Sequence, residues 1–375
     1  MAAVVAHFLK WIKTATVTER VHAASALART YVAGGLDFED QCAAEAALTL
    51  LLDDPSWKVR AAMAEALSLS RAAPVQIISA LASDQPEVAA VVLARSPLLD
   101  DGDLIDRVAG GQGAVQRLIA DRPQVSIAVS AAIAEVGEAE ACIALLRNTG
   151  ADIAAVSFRR IVERFGHLAR VREVLVADRR MPSDCRHQLL VRVGEALRTA
   201  PLVTALIGHE RAERLTREAC VKASLTLIDT THIAEHPAVV EHLRLRGEIT
   251  TAFVVRLVAA GKIDFFGSVL TALAGQSESR VRALLAAGHD VALAALFRKA
   301  GLPASVNRVL IRALKVWREV ANGRRVAGPQ EVTFVMLGEL KGPEAGSEVA
   351  GLLKSIHLDC LRENARIHAL AIAAA

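Results

Sequence analysis

The chain has 375 residues, 53% of them hydrophobic, 3% aromatic and 23% charged, with a formal net charge of +3. That apolar content excludes an intrinsically disordered chain, and 23 glycines without a triplet period exclude a collagen. A single core stops growing at about 250–300 residues, so several domains or a repeat array are expected.

The opening MAAVVAHFLKWIK carries Lys10 and Lys13 behind its apolar part, the reverse of a signal peptide. Mean hydropathy is +0.34. No run of about 18 uncharged apolar residues follows, however, so no membrane insertion is expected. Cys42, Cys142, Cys185, Cys220 and Cys360 are odd in number, scattered and free of any C-x-x-C pair. They read as reduced thiols in a cytoplasmic protein.

From there on the apolar period is helical. In VRAAMAEALSL (59–69), Val59, Ala62, Met63, Ala66 and Leu67 recur at the spacing of one helix face. The same period runs through VERFGHLARVREVL, VRVGEALRTAPLVTALI and VLIRALKVW, while strand-like alternation is hard to find. The expected fold is all-α, with about twenty short helices.

Short helices with short gaps prompt a search for internal repeats. DDPSWKVRAAMAEAL (53–67) is followed by SDQPEVAAVVLARSP (83–97), with Val59 and Val88 separated by 29. Ala94-Arg95-Ser96-Pro97 aligns with Ala120-Asp121-Arg122-Pro123 at a spacing of 26, and Arg147-Asn148-Thr149-Gly150 ends 27 residues after Pro123. Such helix pairs must stack on neighbours to bury both faces, giving an α-solenoid. The string D-P-x-x-x-V-R-x-x-x-A-x-A-L at 54–67 resembles HEAT repeats, which implies that Asp54 caps a helix whose Val-Arg-Ala-Ala side packs inward. Units of 26–31 residues are shorter than ordinary HEAT units and closer to the short repeats called leucine-rich variants. The HEAT resemblance covers residues 40–155 and implies a right-handed superhelix with an irregular C-terminal helical part.

Four regions follow: acidic HEAT-like repeats over 1–155, a basic helical middle region over 156–248, C-terminal helical repeats over 249–321, and a linker with terminal helices over 322–375. Residues 37–106 hold 13 Asp and Glu against 4 Lys and Arg, whereas 156–222 hold 14 Lys and Arg against 8 Asp and Glu. The closing LAIAAA is expected to lie outside any core. Ile249-Thr250, Gly261 to Phe265-Phe266, Arg280-Val281 to Leu284-Leu285 and Ala300-Gly301-Leu302-Pro303 resemble the bacterial family known only as domain of unknown function 2336. With the acidic repeats upstream, the resemblance spans nearly all of 40–320. It implies an all-helical bacterial protein and carries over no catalytic residue. Gly261, Gly288 and Gly301 each follow an apolar helix, where a left-handed cap would place them.

Chemistry is sparse. There is no phosphate-binding loop: Gly110-Gly111-Gln112-Gly113 has no strand before it and reads as a joint between repeats. HIAEHPAVVEH offers His232, His236 and His242 with Glu235 and Glu241 as weak metal candidates. Pro237 breaks the face His232 and His236 would share, because a residue before proline avoids the helical region. The pattern therefore predicts a capped helix over 237–246 and no metal or other cofactor. Asp53-Asp54 and Asp100-Asp101-Asp103 precede helices and read as caps. Asp54 with Trp57 and Arg60 matches the residue types of HEAT-like DNA glycosylases, yet base flipping calls for more aromatic faces than this chain has. Phe265-Phe266 and Trp317 read as core anchors. Arg159, Arg160, Arg179 and Arg180 mark the basic region, read either as a solvated face or as a partner-binding groove.

The leading expectation is a non-enzymatic α-solenoid scaffold that binds a protein partner along a curved groove. A nucleic-acid-binding protein using the central arginines is the alternative, and a HEAT-type small-molecule enzyme the second. The fold alone does not choose among them.

Overall fold

The computed structural model describes residues 10–12, 14–340 and 347–373; most of the opening MAAVVAHFLKWIK lies outside them. The protein is all-α: the described residues hold 22 α-helices, one 3-10 turn and no strand beyond an isolated bridge between Val125 and Ala151. It divides between Met181 and Pro182 into two compact units. The division falls inside the stretch whose composition marks it as the basic middle region.

The N-terminal unit holds α1 (Val17–Ala33), α2 (Phe38–Leu51), α3 (Trp57–Leu67), α4 (Val75–Ala82), α5 (Pro86–Arg95) and α6 (Asp101–Gly110). It continues with α7 (Gly113–Ala120), α8 (Ile127–Val136), α9 (Ala139–Arg147), α10 (Ala155–Phe165) and α11 (Ala169–Ala177). Starts are set by capping side chains. Thr16 and Glu19 close a capping box on α1, Asp37 accepts from the Asp40 amide on α2, and Asp100 with Asp103 forms a second box on α6. Most helices pack on the one two places along: α1 on α3, α3 on α5, α5 on α7, α7 on α9, α9 on α11, and likewise α6 on α8 and α8 on α10. The buried stripe of α3, Val59, Met63, Ala64 and Leu67, is the one its periodicity predicts.

The HEAT-like cap is built differently from the expectation. Ser56 occupies the N-cap of α3, and Asp54 accepts from the Ser56 amide at 2.8 Å while pairing with Arg20 at 2.8 Å. Asp54 is only 8% exposed, so a guanidinium from another helix satisfies it better than free helix amides would. VERFGHLARVREVL also forms two helices. α10 stops at Phe165 and α11 starts at Ala169, and the Arg172 guanidinium donates to the Gly166 and His167 carbonyls between them. The break turns Val171 and Leu175 into the core.

The C-terminal unit holds α12 (Ser183–Thr199), α13 (Pro201–Ile207), α14 (His209–Thr230), a 3-10 turn (Ile233–Glu235), α15 (His236–Leu245) and α16 (Thr251–Ala259). It ends with α17 (Ile263–Ala274), α18 (Glu278–Ala287), α19 (Asp290–Lys299), α20 (Ala304–Ala321), α21 (Pro329–Gly338) and α22 (Glu348–Ala373). Its core gathers Phe253, Phe265, Phe266 and Phe297 with a large set of Val and Leu side chains. Trp317 packs against this core and donates its indole N–H to the Val258 carbonyl at 2.7 Å. Its ring lies 3.0 Å from where a Cβ on Gly261 would sit, and Gly261 has φ +78°, so both space and backbone call for glycine there.

Gly261 and Gly301 adopt the expected positive φ, but Gly288 has φ −65° and ψ 143°. Gly288 answers a different need: a Cβ there would meet the Leu284 carbonyl oxygen at 2.5 Å. Pro201 divides α12 from α13 within VRVGEALRTAPLVTALI. α13 buries none of its seven residues, and Leu202 and Leu206 are 72% and 74% exposed. Near the end of the chain Leu370 and Ile372 are exposed.

Candidate functional site

The expected partner-binding arginines have unlike surroundings. Arg160 on α10 pairs with Glu135 at 2.8 Å and with Glu163 at 3.4 Å. Arg159, next to it, is half-buried and also partnered. Arg180, just after α11, donates to the Leu146 carbonyl at 2.8 Å and the Ala151 carbonyl at 2.9 Å, and binds Asp178. Arg179 is exposed, and among the described residues no partner faces it.

Arg180 is one rung of a series. Arg95 at the end of α5 donates to the Ser68 hydroxyl, which caps α3. Arg122, after α7, donates to the Leu93 and Ser96 carbonyls at the end of α5. Asn148, after α9, donates to the Ala120 carbonyl at 2.8 Å and the Arg122 carbonyl at 2.6 Å, and Arg180 repeats the act on α9. On the intervening helices Arg107 reaches the Ala82 carbonyl, and Arg164 reaches those of Ala134 and Gly137. The last carbonyls of a helix have no donors within it and carry its negative end, so a guanidinium fork suits them in both geometry and charge. The junctions that align in sequence at Arg95, Arg122 and Asn148 are therefore the ties between successive helices.

The histidines at 232–242 do not converge. His232 is exposed and its Nδ1 accepts from the Ala234 amide at 3.2 Å. His236 is buried edge-on against Phe265, ring centres 5.1 Å apart. His242 lies edge-on to His187 at 5.4 Å. Glu235 accepts from the Ser183 hydroxyl, and Glu241 pairs with Arg244 at 2.7 Å. Among the described residues no group of three His, Cys, Asp or Glu side chains is arranged to hold a metal. His236 is itself helical, at φ −50° and ψ −45°, and opens α15 one residue earlier than its proline suggests. Proline is tolerated in a first turn, where its missing N–H has no intrahelical acceptor to lose.

Sequence reasoning passed over the most developed polar site. α12, α14 and the segment from α15 into α16 line a half-open cavity of about 590 Å³. Gly194 on α12 lets α14 come close, since a Cβ there would stand 2.4 Å from the Cys220 Sγ. Beside the cavity His187 is 2% exposed. Its Nε2 lies 3.0 Å from the Ser224 Oγ and 3.4 Å from the Glu248 carboxylate. Ser224 donates to the Cys220 carbonyl at 2.8 Å, so His187 is the donor to Ser224 and carries its proton on Nε2. Its Nδ1 is buried with no hydrogen-bond partner. Burial pushes the His187 pKa down to about 4, against the pull of Glu248. Burial likewise raises the Cys220 thiol, with Glu248 and Glu195 adding to the effect.

Serine, histidine and glutamate here do not form a relay. A relay needs the acid on one ring nitrogen and the hydroxyl on the other, and here both face Nε2. A thiol raised in this way is not an activated nucleophile either. Three residues of this region had a legible signal: Arg256, on the cavity wall, is a lone charge inside TAFVVRLVAA, and Cys220 and Ser224 stand four apart on one helix face. His187 had none.

The model of a bacterial family, described as an uncharacterised protein conserved in bacteria (DUF2336), matches residues 88–345, and the chain belongs to that family. No curated protein matches the chain, and no solved structure does. No helix among the described residues is long and apolar enough to cross a membrane.

Proposed function

We propose that this protein is a cytoplasmic, non-enzymatic α-solenoid scaffold whose N-terminal unit binds a protein partner along its stacked helices. The observation that carries the reading is the series of side-chain ties from Arg95 through Arg122 and Asn148 to Arg180. They tie α5, α7, α9 and α11 each to the helix two places before it, and a surface held in advance loses little ordering entropy on binding. Exposed apolar side chains then stand at the start of the second helix of several pairs: Phe38, Val75, Ile127 and Val156, with Phe38 80% exposed. The acidic balance of 37–106 favours a partner that surrounds its own apolar anchors with Lys and Arg.

The test is affinity capture from a bacterial lysate at low and high salt, with and without nuclease, using wild type and a Phe38→Ser, Ile127→Ser, Val156→Ser variant. One or a few proteins that survive nuclease and are lost with the variant, at unchanged melting temperature, are expected. Nucleic acid alone, released steeply as salt rises, would overturn the scaffold in favour of the central arginines.

A further inference from the structure

The C-terminal unit holds a cavity of its own, which the partner binding proposed for the N-terminal unit does not use. Its volume of about 590 Å³ lies within the range of small-molecule pockets, about 300–1,000 Å³. Its walls include Val191, Val221, Ala252 and Phe253, which suit an apolar body.

The charges on the cavity are not equivalent. Glu213 accepts from Arg217 at 2.7 Å and lies 3.8 Å from Arg198, so these two guanidinium groups share one carboxylate. Glu248 is engaged by Arg246 at 2.6 Å and by His187. Glu195 and Glu218 are exposed on the rim, where water solvates them. Arg256 differs from all of these. It is half-buried on the cavity wall, and among the described residues it has neither an ion pair nor a side-chain hydrogen bond. It sits on α16 three and four residues after Phe253 and Ala252, on the same face as both. A half-buried cation without a partner is costly, and a carboxylate matches its fork in two parallel hydrogen bonds.

We infer that the cavity binds a small organic carboxylate with an apolar body, its acid group on Arg256 and its body against Phe253, Val191 and Val221. The ligand class follows from this one unpaired wall cation beside apolar walls.

The probes are 3-phenylpropionate and octanoate, each set against the alcohol and the ammonium compound of the same skeleton, titrated calorimetrically into the full chain. Both carboxylates are expected to bind at least tenfold more tightly than their counterparts, and Arg256→Gln to abolish that preference while the melting temperature holds. Location is read at Cys220, which lines the cavity. 3-Phenylpropionate should slow its alkylation by iodoacetamide and leave exposed Cys42 untouched. Ala252→Phe, at an exposed position on the wall, should block binding without disturbing the fold. Carboxylates that bind no better than the alcohols, a preference that survives in Arg256→Gln, or an unprotected Cys220 would each overturn the assignment.

Discussion

The two units hold their helices together by different means. In the N-terminal unit polar side chains reach from the end of one helix to the carbonyls, or for Arg95 chiefly the Ser68 hydroxyl, at the end of another, from Arg95, Arg107, Arg122, Asn148, Arg164 and Arg180. In the C-terminal unit such ties are fewer, Arg318 to the Leu284 and Leu285 carbonyls, Arg308 to that of Glu339 and Trp317 to that of Val258, and the bulk is a core with four buried phenylalanines. The difference teaches how register is chosen. Large rings interdigitate in few ways, so their shapes select a packing. Small apolar side chains can slide, and a directional donor at each helix end removes that freedom.

The sharpest way to break the comparison is to remove a ring. Phe266→Ala, at a fully buried position, is expected to cost about 3–5 kcal/mol and to lower the calorimetric transition of the C-terminal unit alone. A matching drop in the transition of the N-terminal unit would show that the two do not unfold separately.

Acid comes next. His187 has a folded pKa of about 4, below the ordinary value of 6.5, so its contribution is fully present above about pH 6.5. It is lost as pH falls through the folded value, because the unfolded chain takes up the proton first. The expected loss is about 3 kcal/mol between those limits, with buried His236 shifted the same way. In the N-terminal unit Asp84 is held below the usual carboxylate range by Arg60, so its contribution is present above about pH 4 and lost only in stronger acid. Urea titrations from pH 7 to 4.5 should therefore weaken the C-terminal unit, and His187→Asn should flatten the slope. An unchanged slope in that variant would move the effect elsewhere.

A rung of the ladder has a smaller effect. Arg122 is 8% exposed and serves two buried carbonyls; Arg122→Met keeps the stem and leaves both without a donor, at a cost of about 2 kcal/mol. Hydrogen exchange should rise at the ends of α5 and α7 if the tie sets register, and stay at the wild-type level if packing alone does. The smallest effect belongs to Arg179→Ala, exposed and outside the ladder, which should stay within about 0.5 kcal/mol of wild type by chemical denaturation.

Much of the fold was legible because helix periodicity is local. The face of α3, the capping box at Asp100, the joint at 110–113 and the buried Phe265 and Phe266 all follow from neighbours within a turn or two. The junctions around Arg95, Arg122 and Asn148 were visible as an alignment, but not their purpose, since each tie reaches 26–29 residues back. Asp54 shows the same limit: the local rule made it a cap, and Arg20 from a distant helix took it. The cavity was least legible. His187, Ser224 and the segment that carries Glu248 and Arg256 come from three parts of the chain, and only tertiary packing brings them together. The paired arginines stand out in the sequence because they are adjacent, yet Arg160 and Arg180 are committed to their own unit.

Trp317 carries one further consequence. The chain has three tryptophans, at 11, 57 and 317, and the last is the sole one beyond Pro182. Its indole is wedged against Gly261 with its N–H on the Val258 carbonyl, while Trp57 stands 42% exposed. In a Trp11→Phe, Trp57→Phe background the emission of this single ring becomes an optical gauge of the C-terminal unit, shifting to the red when Val258 lets go of it and silent about everything before Pro182.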